Sequence, residues 1–128
     1  MITIEQAGRL RKAGVLWVPA AGDRFVVPDR DMDDDVFVVS DMTVEVHDYQ
    51  GSKVIGFNGT TEWALDSIDQ REVIWLPREE QLRALLGEHF CTLEAVAGSY
   101  RVELTNSTHI APDAEQAYAQ AVIHLLGA

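Results

Sequence analysis

The chain has 128 residues, of which 47% are apolar and 24% charged, and 21 acidic against 10 basic residues give a formal net charge of −11. The apolar content is too high for a disordered chain and is typical of one globular domain that buries roughly two-thirds of its unfolded surface. Because the net charge is strongly negative, we expect neither nucleic acid nor an anionic membrane surface as a partner. The sequence contains no apolar run long enough to span a bilayer and no signal-peptide pattern, so we expect a cytoplasmic protein.

The first predicted element is a short amphipathic helix over residues 3–13. Thr3 and Gln6 have the spacing of a capping box, and Gly14 is a typical helix stop. The last turn of this helix contains the basic cluster of the chain, and we interpret these side chains as partners of the helix dipole: Arg9, Arg11 and Lys12.

Strands dominate the next part of the chain. Short apolar runs predict strands at residues 15–18, 24–27 and 36–39, and the last run is continuous enough that we expect burial on both faces. Residues 43–57 have the alternation of a β-hairpin, with a turn at Gln50-Gly51-Ser52.

The second half of the chain alternates between helix and strand patterns. The predicted elements are a short helix at 62–67, a strand at 72–76, a helix between Pro77 and Gly87, a hairpin at 90–104 with a turn at Ala97-Gly98, and a final helix at 112–126. The final helix has an apolar stripe that places Tyr118 in the core, and we expect Trp17 and Trp75 to be core residues as well. Since hairpins connect most strands, we predict an α+β fold: a single domain over residues 1–128, with a mainly antiparallel sheet and helices packed on one face.

Five aspartates occur between residues 29 and 35, and this acidic segment is the main functional lead. Asp29, Asp31 and Asp33 have the alternate spacing with which an EF-hand places carboxylates around Ca²⁺. However, the sixth position is Asp34 instead of glycine, and the twelfth is Ser40 instead of glutamate. Three interpretations stay open: a solvated acidic loop, a surface that recognises a basic partner, and a cation site.

Other chemistry is sparse in the sequence. The histidines are scattered and do not form a zinc-binding pattern, and the single cysteine, Cys91, is interpreted as a small structural side chain of a strand. Trp63 lies in a segment of mixed polarity and is a candidate contact residue. We therefore predict no catalytic residue and no cofactor.

Three segments carry a resemblance to known proteins. Residues 17–25 (WVPAAGDRF), 75–82 (WLPREEQL) and 111–118 (APDAEQAY) together resemble a family of small bacterial proteins that are sometimes labelled pilus assembly proteins. The likeness extends over most of the chain and implies no particular activity or site residue. The closing strand, loop and helix are similar to the end of small antitoxin domains of the HicB type, which implies binding rather than catalysis.

These observations lead to one principal hypothesis and two others. We predict a non-catalytic protein-binding domain, of immunity or antitoxin type, that recognises a basic protein through Asp31, Asp33, Asp34 and Trp63. The alternative is a divalent-cation-binding domain or metal-assisted hydrolase that uses Asp29, Asp31, Asp33 and Asp35. The third hypothesis is a homo-oligomer formed through an exposed sheet edge or the region of Trp63.

Overall fold

The computed structural model describes residues 1–28, 36–39, 44–49, 52–57, 67–69 and 73–127, and for the strands between residues 44 and 69 it describes the backbone. Backbone contacts divide the chain into two compact units. The terminal unit comprises Met1–Leu16 and Leu76–Ala128, and the central unit comprises Trp17–Trp75. The single-domain organisation of residues 1–128 stays a prediction, since compact units of this size also occur within one domain.

The described residues form three α-helices and nine strands. In chain order they are α1 (Ile4–Lys12), β1 (Arg24–Val26), β2 (Phe37–Val38), β3 (Val44–Tyr49), β4 (Ser52–Phe57), β5 (Ser67–Asp69), β6 (Ile74–Leu76), α2 (Glu79–Leu86), β7 (Phe90–Val96), β8 (Ser99–Leu104), β9 (Thr108–Ala111) and α3 (Ala114–Leu125). They build three three-stranded sheets with the orders β2-β1-β6, β3-β4-β5 and β7-β8-β9. The predicted α+β class with antiparallel hairpins is confirmed, although the strands form three small sheets instead of one. None of the described helices is both long and apolar enough to cross a membrane.

In the terminal unit, α3 is the central packing element. It lies against β8 and β9 of the β7-β8-β9 sheet, and both α1 and α2 contact it. Six of its residues are therefore buried: Ala117, Tyr118, Ala119, Ala121, Val122 and Ile123. The sequence predicted a narrower buried face, because one apolar stripe is sufficient for contact with a single neighbour. Helix α3 instead contacts two helices and two strands, so more of its surface is buried.

Helix α1 begins and ends where its sequence pattern predicts. The Thr3 hydroxyl accepts a hydrogen bond from the Gln6 amide at 3.0 Å, and Gln6 Oε1 accepts one from the Thr3 amide at 3.1 Å. At the other end, Gly14 has a φ of +96°, and the Val15 amide donates to the Leu10 carbonyl at 3.1 Å. This is the Schellman arrangement, which satisfies carbonyls that the helix itself leaves unpaired.

The second predicted hairpin is also confirmed. Strands β7 and β8 pair from Val96 opposite Ser99, and Ala97 and Gly98 connect them with φ values of +34° and +84°. Two successive positive φ angles are the signature of a type I′ turn. Strand β9 follows as the third strand of the meander, at residues for which no strand was predicted.

In the central unit, β3 and β4 form the first predicted hairpin, with Tyr49 opposite Ser52. Strand β5 extends this sheet antiparallel to β4. The helix predicted at residues 62–67 lies mainly outside the described residues, and its last residue, Ser67, belongs to β5.

Two strand predictions in the central unit need correction. Residues 15–18 form no strand; Trp17 is buried while Val18 is 82% exposed, and Pro19 ends the run without a backbone donor. Residues 36–39 are not buried on both faces, because Val38 is 59% exposed whereas Val39 is buried. The reason is that successive side chains of an extended segment point to opposite faces, and the face of Val39 packs into a buried hydrophobic cluster whereas that of Val38 is exposed.

Candidate functional site

The contact residues predicted from the sequence lie outside the described residues. This holds for the proposed partner contacts Asp31, Asp33, Asp34 and Trp63, and for Asp29 and Asp35 of the alternative cation site. Their roles stay predictions. The structure does describe the two strands that the acidic segment, residues 29–35, connects.

Strands β1 and β2 hold the two ends of the acidic segment together. They pair antiparallel, with Arg24 opposite Val38 and Phe25 opposite Phe37. The rings of Phe25 and Phe37 stack with their centroids 5.6 Å apart. The residues on either side of the acidic segment therefore belong to one short hairpin with a packed aromatic pair across it.

A buried carboxylate fixes the turn that precedes β1. Asp23 is 2% exposed, and its Oδ2 accepts hydrogen bonds from Trp17 Nε1 at 2.8 Å and from the Ala20 amide at 3.0 Å. The backbone of the same residue is joined to the end of β2, because the Val39 amide donates to the Asp23 carbonyl at 2.8 Å. The Asp23 carboxylate therefore has a structural role, since a buried carboxylate requires hydrogen-bond donors as partners.

Aromatic side chains form the core beneath this hairpin. Trp17 stacks on Trp75 with ring centroids 6.5 Å apart and an interplanar angle of 9°, and it contacts Phe25 at 5.6 Å. Trp17 is buried and Trp75 is half-buried against the same cluster, so the predicted core role of both is confirmed. Valines complete the cluster: Val27, Val39 and Val73.

Charge is distributed unequally between the two units. Trp17–Trp75 contains 13 acidic and 4 basic residues, a net charge of −9, whereas the terminal unit contains 8 acidic and 6 basic residues, a net charge of −2. In the terminal unit several acids have basic neighbours: Arg101 pairs with Glu94 and with Glu103, and Arg78 pairs with Glu80 at 2.7 Å. The negative surplus of the protein therefore belongs to the unit that contains the acidic segment.

Apolar side chains are exposed directly beside the acidic segment. Val36 follows it in the chain and is 39% exposed, and Val38 on β2 is more exposed still. Exposed valines at a sheet edge next to concentrated charge combine apolar contact area with an electrostatic field, as protein interfaces do.

A second site was missed from the sequence. His109 on β9 and His124 on α3 are 15 residues apart in the chain, yet their rings lie with centroids 5.0 Å apart. His109 is half-buried, and its Nε2 is 2.9 Å from the Ser107 hydroxyl. The interpretation of the histidines as scattered is therefore wrong for this pair.

These two rings line a polar groove in the terminal unit. The groove has a volume of about 530 Å³, and α1 contributes Glu5 and Arg9 to it. Burial lowers the pKa of His109 below its ordinary value, and the neighbouring His124 lowers it further because two imidazolium charges would repel each other. Arg9, interpreted from the sequence as serving the helix, also faces this groove.

No local pattern in the sequence could have identified the histidine pair. The two side chains meet only because α3 packs on β9, and β9 was itself unpredicted. The one available signal was the alternation Thr108-His109-Ile110 after a loop, which is compatible with a third strand of a meander.

Metal and thiol chemistry receive no support from the described part of the chain. Within it, no three side chains of histidine, cysteine, aspartate or glutamate are grouped so that they could hold a metal ion. Cys91, which was expected to be a small structural side chain, lies on β7 with an exposed thiol.

Comparisons with known proteins returned no match, whether with family models, with curated proteins or with solved structures. The resemblances to small proteins labelled as pilus assembly proteins and to antitoxin domains stay untested. The function is therefore inferred from the geometry and charge of this chain.

Proposed function

We propose that this protein is a protein-binding domain that recognises a basic protein partner through its central unit. The observation that carries the proposal is the distribution of charge, with a net charge of −9 in Trp17–Trp75 against −2 in the rest of the chain. Within the central unit, the acidic segment contributes five carboxylates, of which Asp31, Asp33 and Asp34 are the proposed contacts, together with Trp63.

The high density of carboxylates favours a binding role, because their mutual repulsion raises the free energy of the unbound protein. Neighbouring carboxylates repel one another, and a partner with lysine or arginine side chains relieves this repulsion. The same field accelerates encounter with a basic surface and disfavours acidic ligands. In one concrete version, of immunity or antitoxin type, the acidic surface covers a basic active site of the partner.

The β1-β2 hairpin, which lies at the two ends of the acidic segment, supports the proposal through preorganisation. Strands β1 and β2 are paired, and the aromatic cluster of Trp17, Phe25 and Trp75 packs beside them. A segment whose two ends are held together has less conformational entropy to lose on binding than one with free ends. The exposed Val36 and Val38 add apolar contact area beside the charges.

A charge-matched pair of variants tests the proposal. The probe is a fluorescent 16-residue peptide of alternating lysine and serine, and its affinity is measured by fluorescence anisotropy at about 20, 150 and 500 mM salt. We expect the triple variant Asp31→Asn, Asp33→Asn and Asp34→Asn to bind at least about tenfold more weakly than the wild type at low salt, since three nearby charges are removed. We also expect wild-type affinity to fall steeply with salt.

The control removes the same charge from the terminal unit, as Glu5→Gln, Glu79→Gln and Glu88→Gln. These side chains are exposed, so the control keeps the net charge of the test variant without altering the core. We expect it to bind within about twofold of the wild type, because it leaves all five carboxylates of the acidic segment unchanged. Equal weakening of both variants, or affinity independent of salt, would refute the proposal.

A further inference from the structure

The histidine groove of the terminal unit has the size of a small-molecule site and a lining of mainly polar side chains. Its volume of about 530 Å³ falls within the range of roughly 300–1,000 Å³ typical of ligand pockets. Helix α1, strand β9 and helix α3 all contribute polar side chains to it, so the groove is built by three packed elements rather than by one exposed surface.

Several of these side chains have unused hydrogen-bonding capacity. Within the described part of the chain, the side chains of Arg9, Gln120 and His124 make no hydrogen bond and no ion pair, although all three line the groove. An arginine guanidinium presents five donors in a planar fork that matches carboxylate and phosphate oxygens. The groove therefore presents hydrogen-bond donors that have no acceptor within the described part of the protein.

Each of the three elements around the groove contributes charged or titratable groups to it. Helix α1 contributes Glu5 and Arg9, β9 contributes His109, and α3 contributes His124. Protonation of both histidines gives these four groups a net charge of +2. Because the two rings lie 5.0 Å apart, a dianion beside them relieves the repulsion that double protonation would otherwise cause.

We propose that this groove binds a small molecule through a dianionic phosphate group held by Arg9, His109 and His124. The volume of the groove exceeds what one ion fills and leaves Glu5 and Gln120 for polar groups of the rest of the ligand. A bound dianion favours the protonated form of the two neighbouring imidazoles, so the affinity for an anion that stays doubly charged rises as the pH falls.

Calorimetric titration of the full chain tests the site with defined probes. Sodium sulfate is the first probe, because it stays a dianion across the pH range, and glycerol phosphate is the organic phosphate. We expect sulfate affinity to increase by about tenfold per pH unit between pH 7.5 and 6.0 if one proton is taken up on binding. At pH 7.5, where both probes are dianions, tighter binding of glycerol phosphate than of sulfate would assign a phosphorylated small molecule, and equal affinity would assign the free ion.

Matched variants locate the binding. Arg9→Gln and His124→Gln should each weaken sulfate binding at pH 6.0 by about tenfold or more, the order of loss expected when a charged hydrogen bond is removed. Lys12→Gln removes the same charge from the same helix outside the groove lining and should change affinity less than about twofold. The absence of sulfate binding at about 10 mM and pH 6.0, equal weakening by Lys12→Gln, or equal affinity for acetate would overturn the proposal.

Discussion

Asp23 joins three parts of the central unit through one side chain and its backbone. Its carboxylate accepts from Trp17 and Ala20, and its carbonyl accepts from Val39 after β2. A buried acceptor in this position fixes the indole and the turn together, because a buried indole N–H without a partner is costly. The β1-β2 hairpin at the ends of the acidic segment therefore depends on Asp23, a buried residue that contributes no exposed charge.

Substitution of Asp23 tests this role. Asp23→Ala should lower the free energy of unfolding by about 1–3 kcal/mol for each buried donor that loses its acceptor. Asp23→Asn should cost less, because its amide oxygen still accepts from Trp17 and Ala20. Urea unfolding followed by tryptophan fluorescence measures both, and an Asp23→Ala variant as stable as the wild type would contradict this account.

His109 gives the terminal unit a pH-dependent stability. Its pKa is lowered in the folded state by burial and by His124, so the unfolded chain binds a proton that the native protein resists. Stability is complete above pH 6.5, the ordinary histidine pKa, and is lost as the pH falls from 6.5 toward the lowered value. Urea unfolding between pH 7.5 and 5.5, in buffer without phosphate or sulfate, should show this decrease.

The matched variant for this effect is His109→Gln, which keeps a polar side chain but cannot titrate. Its free energy of unfolding should change less over the same pH range than that of the wild type. His124→Gln should give an intermediate dependence, because it removes the charge repulsion and leaves the burial. Identical pH profiles for wild type and His109→Gln would show that another group is responsible.

At the scale of elements, the turn between β7 and β8 contains a local strain that a substitution can relieve. Ala97 has a positive φ of +34°, a region that disfavours residues with a Cβ atom. Ala97→Asn should raise the free energy of unfolding by up to about 1 kcal/mol, because asparagine tolerates this region and Asn-Gly is the preferred type I′ pair. Ala97→Val should have the opposite sign, since β-branching is least compatible with positive φ. Chemical denaturation measures both, and equal effects would contradict the assigned turn.

Elements defined by local signals could be predicted from the sequence. The capping box of α1, the glycine after it and the Ala97-Gly98 turn are contained within a few residues, and each is confirmed. The exposure of Val38 could not be predicted, because it depends on which face of β2 is covered, and this is decided by packing between segments that are far apart in the sequence. The apolar run at residues 15–18 was misleading for the same reason, since hydrophobicity alone does not provide a strand partner.

The histidine groove could not be predicted from the sequence for a similar reason. His109 and His124 belong to different elements, and only the packing of α3 on β9 places their rings together. A search for fixed spacings on one helix or strand cannot detect such a pair. The acidic segment, by contrast, was recognisable because its charges are consecutive in sequence.

At the scale of the whole molecule, the negative charge is divided unequally between the two units. The net charge of −9 in the central unit against −2 in the terminal unit gives the protein a charge asymmetry that composition alone does not reveal. Opposite charges in the terminal unit offset one another, as in the pairs that Arg101 makes with Glu94 and Glu103.

Thermal melting separates a protein-binding role from cation binding by the acidic segment. The EF-hand pattern fails at Asp34 and Ser40, so about 1 mM Ca²⁺ or Mg²⁺ should shift the melting temperature by less than about 1 °C. A ligand that binds only the folded state raises this temperature by mass action. A saturable rise that the substitutions Asp29→Asn and Asp33→Asn abolish would favour the cation hypothesis instead.

The most direct test of the central claim is to map where a basic ligand touches the protein. Heteronuclear NMR spectra of the ¹⁵N-labelled chain, titrated with the lysine-serine peptide at low salt, report each backbone amide separately. The account predicts that the large shift changes fall within residues 17–75 and centre on residues 29–39, with small changes in the terminal unit. Shift changes spread evenly over both units, or concentrated on α2 and its exposed glutamates, would contradict it.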